Sequence, residues 1–334
     1  MDVVEPAVVM TGSSPGQPQS NDTGRQITLA EKMLYLLLAG SSRLASALPT
    51  SWVTGAGATS IGLIGPWLRQ NKRALANLEI AFPEKSAAER AAIARAMWAN
   101  MGRTYAESLI FPRFSATGDA IEIVDEDNWR ARMAEPVPQI CCTLHMGSWE
   151  LAIEPLRRFG RRPAGVYRPL GNPLIDRWLV ATRAPMFPGG LLAKGDNDED
   201  VRAGQRTARR LIDMARKGGA IGFVCDHFDR RGEPIAFLGR TSRFTTAPAM
   251  IARHVGARVY VGACLRQGTS SRFRMVIEEI EVPRTGDKAA DAITLTTAIF
   301  AAFERWIRAH PEQWMWWNTR WVTASAPDQQ TAGR

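Results

Sequence analysis

The chain has 334 residues, 45% of them hydrophobic and 22% charged, with a formal net charge of +9. That length holds one sizeable core and at most two domains, and the composition is that of an ordinary globular protein. The positive charge favours an acidic partner, whether nucleic acid, an anionic membrane or an acidic carrier protein. The basic residues are dispersed and no nucleic-acid-binding motif appears, so nucleic acid is not expected as a partner.

Residues 1–26 are rich in Gly, Pro, Ser, Gln and Asn and are expected to be a disordered tail, as are residues 325–334. Asp2 and Glu5 stand where a secretory signal would carry basic residues ahead of an apolar run. Residues 27–48 contain the strongest apolar run, Met33 to Ala39, which Gly40, Ser41, Ser42 and Arg43 interrupt. A spanning helix needs about 20 mostly apolar residues. The segment therefore favours a helix lying in a membrane surface over one that crosses it. An amphipathic helix packed on the domain is the alternative.

Residues 66–110 read as helices. Ser86-Ala-Ala-Glu89 is a capping box, with Ile93, Met97 and Met101 following at four-residue spacing. From residue 137 the pattern alternates between strand and helix. A strand over 138–145 leads into a helix over 148–160, with Ser148 as N-cap, Gly160 past the end and Trp149, Ala152, Ile153 and Leu156 facing inward. A strand over 164–169 precedes a helix that Asn172 caps and Pro173 begins. The acidic run Asp196 to Asp200 starts a helix over 198–217, which Gly218 and Gly219 end. A third strand (220–226), a helix (245–256), two further strands (258–266 and 272–282) and a last helix (288–309) complete the pattern. Strands separated by helices predict an α/β domain with a mainly parallel sheet flanked by helices.

The four cysteines, Cys141, Cys142, Cys225 and Cys264, form no C-x-x-C pair. They are expected to be core thiols in a reducing compartment, neither disulfides nor metal ligands. Of the four histidines, His145 directly follows a strand and precedes a helix, and strand carboxyl ends are where open α/β sheets build sites. Glu150 lies in the first turn of that helix. With Gly147 freeing the backbone between them, the His145 ring can fold back toward Glu150. A carboxylate on one imidazole nitrogen fixes the tautomer and leaves the other nitrogen to take a proton. The same spacing also suits a buried histidine bonded to a helix-capping glutamate. Arg168, Arg177 and Arg183 follow the second strand and suit phosphate or a developing oxyanion, unless they simply face solvent. Asp226 and His227 follow the third strand. With Asp229 they make a weak metal motif, and a solvated loop is the better reading. Trp314-Met-Trp-Trp317 suits either a membrane interface or core packing.

His145-Met-Gly-Ser-Trp-Glu150 resembles the H-x4-D/E block of glycerol-phosphate-acyltransferase-like enzymes, and more specifically the bacterial lipid A late acyltransferases. The likeness runs over residues 66–322. It includes Asn77-Leu with Ala81-Phe-Pro-Glu84, and Tyr167-Arg-Pro with Asn172-Pro-Leu and Asp176. It continues through Asp226-His227, Phe237-Leu-Gly-Arg240, Thr245-Thr-Ala-Pro248, Pro311-Glu-Gln-Trp314 and Arg320-Trp321. The block H-x4-E alone is weak, but these blocks in this order are specific.

The resemblance implies that His145 is the catalytic base, Glu150 its partner, and Arg183 and Asp226 supporting catalytic residues. Gly147, Ser148, Arg168, Arg177 and His227 then fall to substrate binding. It implies an acyl carrier protein thioester as donor, a lipid A precursor as acceptor, no metal or organic cofactor, and a place on the cytoplasmic face of the bacterial inner membrane. The expected organisation is a tail (1–26), a membrane-associated helical segment (27–65), the acyltransferase domain (66–324) and a tail (325–334). A thioester or lipid hydrolase using the same base on water, and an inactive lipid-binding protein, are the alternatives.

Overall fold

The computed structural model describes residues 26–117, 119–193 and 201–321. The tails expected over 1–26 and 325–334 lie outside these residues except for Gln26, and so does the acidic run 196–200. In chain order the helices are α1 (Leu29–Ala47), α2 (Thr50–Ile64), α3 (Arg69–Ala81), α4 (Ala87–Leu109), α5 (Pro112–Thr117), α6 (Glu126–Ala134), α7 (Glu154–Arg158), α8 (Pro173–Arg183), α9 (Val201–Arg216), α10 (Ala247–Val255) and α11 (Lys288–Ala309). The strands are β1 (Ile121–Ile123), β2 (Gln139–Thr143), β3 (Pro163–Tyr167), β4 (Gly190–Ala193), β5 (Ala220–Val224), β6 (Glu233–Phe237), β7 (Arg240–Phe244), β8 (Arg258–Arg266) and β9 (Phe273–Ile280).

Seven strands form one sheet in the order β1-β9-β8-β2-β5-β3-β4. The strands from β8 to β4 run parallel, while β9 is antiparallel to β8 and pairs in parallel with β1. Strands β6 and β7 form a separate antiparallel hairpin. The fold is thus the expected mainly parallel α/β sheet, with a reversed edge. Side chains alternate across the central strands. Ile140 and Cys142 pack with α3, α4, α10 and α11, whereas Cys141 and Tyr260 join the cluster containing Ile153, Leu156 and Met133. Helices on both faces explain why these strands read as continuous apolar runs.

The polypeptide leaves β2 through α7 on one face and leaves β5 through α10 on the other. That reversal makes the crevice beyond the carboxyl ends of β2 and β5 a topological switch point, where α/β folds place ligands.

The capping boxes at Thr28–Glu31 and Ser86–Glu89 start α1 and α4 as their sequences dictate. Helix α2 has no such signal and is rich in glycine, yet it packs closely along α4. A Cβ placed on Gly102 would lie 2.1 Å from the Gly57 carbonyl oxygen, so only glycines permit this crossing. Among the described residues no helix is long and apolar enough to cross a membrane.

Candidate active site

The register Thr143↔Val224 aligns the ends of β2 and β5. Two residues beyond those ends come His145 and Asp226, so the sheet itself brings them together. His145 Nδ1 lies 2.7 Å from Asp226 Oδ1, and the His145 amide donates to Asp226 Oδ2 at 3.0 Å. The Trp314 indole N–H donates to the same Oδ2 at 2.8 Å. Asp226 is fully buried. Burial pushes its carboxyl pKa up, but the charge of His145 and the hydrogen bonds from His145 and Trp314 outweigh this and hold it below the ordinary carboxylate value. A carboxylate on Nδ1 fixes the tautomer in which Nε2 is the free base.

This geometry corrects the expected His145–Glu150 pairing. The carboxylate on the imidazole is Asp226, and Glu150 is engaged elsewhere. Arg183 grips Glu150 with two parallel bonds, Nε to Oε1 at 2.8 Å and Nη2 to Oε2 at 2.9 Å. Ser108 Oγ donates to Oε2 at 2.6 Å. Arg183 also stacks over Phe111, with its guanidinium carbon 4.7 Å from the ring centroid. It is therefore buried and not solvated.

The single helix expected from Ser148 is corrected too. Trp149–Leu151 form a 3-10 turn, and α7 starts only at Glu154. Pro155 has no N–H to give to residue 151 and its ring would crowd that carbonyl, so a continuous helix cannot form. Ser148 makes no side-chain cap. The Gly147 amide donates to the Gln313 carbonyl and the Ser148 amide to the Cys264 carbonyl, so both are already used. Gly147 has φ +56°, and a Cβ there would lie 2.1 Å from the Cys264 carbonyl oxygen. Its part is to turn the backbone, with Thr104 Oγ1 donating to its carbonyl at 3.0 Å.

His227 is exposed, its ring 4.5 Å from that of His145. Arg168 and Arg177 are exposed as well. Asp226 is buried against the imidazole, which overturns the solvated-loop reading for that residue, whereas His227 beside it does face solvent. Among the described residues no group of three or more His, Cys, Asp or Glu side chains is arranged to hold a metal. The four cysteines are free thiols, and burial raises the pKa of Cys141 and Cys264.

The tryptophans near the carboxyl end belong to the core. Trp314 and Trp316 are fully buried, and Trp317 stacks on Trp98 with centroids 4.4 Å apart. The buried Asn77 amide donates to the Trp316 carbonyl at 2.7 Å and to that of Thr319 at 3.2 Å. The β6–β7 hairpin adds Phe237, edge-on to Trp314. Helix α3, the hairpin and the C-terminal segment therefore all steady the indole that holds Asp226. Trp314 and Ser108 were missed as site residues in the sequence. Their roles depend on contacts across 88 and 42 positions, for which no local pattern exists.

Beside this centre, between the sheet and the α7–α8 layer, lies a cavity that is partly open to solvent. Its walls are almost wholly apolar, including Ile153, Leu179 and Phe187 over the strands, while Glu150 and Arg183 supply polar atoms. The expected inward stripe at Trp149, Ala152, Ile153 and Leu156 lines this space.

A strand-end imidazole braced by a buried carboxylate can take a proton from a hydroxyl, and the apolar cavity beside it has a lining suited to a hydrocarbon chain. The model of the bacterial lipid A biosynthesis acyltransferases matches residues 24–323, and the chain belongs to that family. It is an acyltransferase. Among curated proteins it is similar to the lipid A biosynthesis lauroyltransferase of Escherichia coli K12, 25% identical over 74% of this chain and 77% of that one. It is equally similar to the lipid A biosynthesis palmitoleoyltransferase of the same organism and to a lipid A biosynthesis acyltransferase of Shigella flexneri. Each of these is 25% identical over 79% of this chain and 83% of the relative.

Proposed function

We propose that the protein transfers a fatty acyl group from an acyl carrier protein thioester to a hydroxyl of a lipid A precursor, with His145 as general base. The observation that carries this reading is the buried Asp226 carboxylate on His145 Nδ1, within a family of lipid A acyltransferases. Nε2 takes the proton of the acceptor hydroxyl as its oxygen attacks the thioester carbonyl. The tetrahedral intermediate collapses, the C–S bond breaks, and the imidazolium returns the proton to the departing thiolate. Asp226 stabilises the imidazolium in between. The first-turn amides of Trp149 and Glu150, which have no acceptor within their own turn, are our candidates for the oxyanion site. The Glu150–Arg183 pair works as a brace that locks this turn to α8. The apolar cavity takes the acyl chain, and exposed His227, Arg168 and Arg177 meet the acceptor headgroup.

We place the chain on the cytoplasmic face of the inner membrane, held by α1 and α2. Leu34, Leu37, Trp52, Leu63, Ile64 and Trp67 on this segment are all more than half exposed. Exposed Lys32, Arg43, Arg69 and Lys72 accompany them, a combination suited to an anionic bilayer surface. Asn172, which caps α8, donates to the Glu31 carbonyl of α1 at 2.9 Å. This tie supports a cavity entrance near the lipid surface.

The test is to incubate the purified protein with a labelled acyl carrier thioester and a bacterial lipid extract, and to locate the label by mass spectrometry. Label on a lipid A precursor is expected. Label found only as free fatty acid would replace transfer by hydrolysis, and label on lysophospholipid alone would overturn the acceptor.

A further inference from the structure

We infer that Ile153, seated on Gly222, is the gauge that sets which acyl chain lengths the cavity accepts, an inference that rests on the cavity being the acyl site. The cavity is lined from six neighbouring strands, β9, β8, β2, β5, β3 and β4. At the usual strand spacing it extends roughly 24 Å across the sheet. Strand register sets Gly165, Gly222, Cys141 and Tyr260 in one row along its floor, so the row is deepest where the two glycines stand side by side. Glycine weakens a strand interior and is found there where something must approach the backbone closely.

At Gly222 the approaching group is Ile153. A Cβ on Gly222 would lie 2.7 Å from Ile153 Cδ1, so roof and floor meet near the middle of the cavity. Each side has a similar arrangement. Toward β4, a Cβ on Gly165 would lie 2.7 Å from the Phe187 ring, and toward β9, one on Gly262 would lie 2.5 Å from Met275 Cε. All six residues border the same empty space rather than filling it. Two lobes, each deepened by a glycine under a side-chain tip, therefore join past the Ile153 methyl. Ile153 is also three residues from Glu150, closer along the chain to the site than Phe187 or Met275. An acyl chain that reaches into both lobes must pass it, and a chain confined to one lobe need not.

The test measures binding of saturated fatty acids from decanoic to stearic acid, by calorimetry, on wild type, Ile153→Ala and Gly222→Ala. Transfer from the matching acyl carrier thioesters is measured in parallel. Ile153→Ala should move the preferred chain at least one two-carbon step longer, with the longest chains gaining about tenfold, the worth of two further buried methylenes. Gly222→Ala pushes the Ile153 tip into the cavity and should move the preference shorter. Ile153→Phe does the same without touching the strand and replaces it should Gly222→Ala fail to fold. An unchanged length profile in Ile153→Ala, or a wild type that binds no fatty acid, overturns the gauge. Shifted binding profiles without transfer to any lipid would leave the gauge standing and remove the proposed reaction instead.

Discussion

His145 Nδ1 and Asp226 Oδ1 stand 2.7 Å apart although 81 residues separate them in the chain. Parallel pairing of β2 and β5 in the register Thr143↔Val224 brings them together. A second bond, from the His145 amide to the same carboxylate, makes the loop and the imidazole share one anchor. Two strands whose register the core fixes thus hold the base more firmly than a neighbour on the same loop could.

From this follows a mutational cycle. His145→Ala and Asp226→Asn are each expected to lower kcat/KM by at least ~10²-fold, the scale of a lost general base. The double variant should be little worse than either, because the two act as a unit. Losses that multiply would show Asp226 working independently of the imidazole.

Glu150 and Arg183 should behave differently. Glu150→Gln leaves the buried Arg183 guanidinium half-paired, while Glu150 itself is 22% exposed. Discounted for that exposure, the cost is about 1–3 kcal/mol of stability, read as a lower midpoint in urea. Its effect on rate should multiply with that of Asp226→Asn. Full stability of Glu150→Gln would contradict the bracing role.

Much of this architecture is legible in the sequence, and the exceptions have physical reasons. Ser86 and Asn172 announce α4 and α8 because caps act within three or four residues. Strands β2, β5 and β8 are apolar runs because both of their faces are covered. Helix α2 is obscured by Gly55, Gly57 and Gly62, and Gly57 serves a close crossing rather than a turn. Strands β6 and β7 form a separate hairpin and carry exposed residues such as Glu233, Arg240 and Thr241, so neither presents the apolar run of a strand covered on both faces. In the site, proximity along the chain suggested Glu150 for His145. The helix assumed in that argument is broken at Pro155, a signal present in the sequence. The choice of Asp226 depends on strand register, which no local pattern encodes.

Gly147→Ala is expected to abolish activity. The residue has φ +56°, and a methyl group there would meet the Cys264 carbonyl at 2.1 Å. The loop must then move, taking His145 off Asp226. A crystal structure or activity assay in which Gly147→Ala matches wild type would refute this.

The Asp226 pKa predicts a direction for acid stability. Folding lowers it below the ordinary 3.8. As pH falls, the unfolded chain therefore takes up the proton before the folded protein does. The stabilisation is complete above the unfolded value and is lost as pH drops through the lower folded value. The gap in melting temperature between wild type and Asp226→Asn should be largest near neutral pH and close below 3.8. A gap that widens toward acid would reverse the sign.

Membrane attachment provides the last prediction. Beyond the exposed apolar residues of α1 and α2, Trp67, just past the end of α2, is 90% exposed, an unusual position for so large a ring. No described helix can cross a bilayer, so binding should involve the surface and should depend on both apolar burial and charge. The purified protein should sediment with vesicles containing anionic lipid and less well with purely zwitterionic ones. Salt should weaken the binding only in part, since screening removes the contribution of Lys32, Arg43, Arg69 and Lys72 but not that of the apolar residues. Trp52→Ala with Trp67→Ala should weaken binding about tenfold or more while leaving the melting temperature nearly unchanged, because both rings are largely exposed. Alkaline carbonate should release the protein from bacterial membranes. Vesicle binding untouched by the double substitution would move the attachment surface away from α2 and the turn that follows it, and retention after carbonate washing would rule out surface attachment altogether.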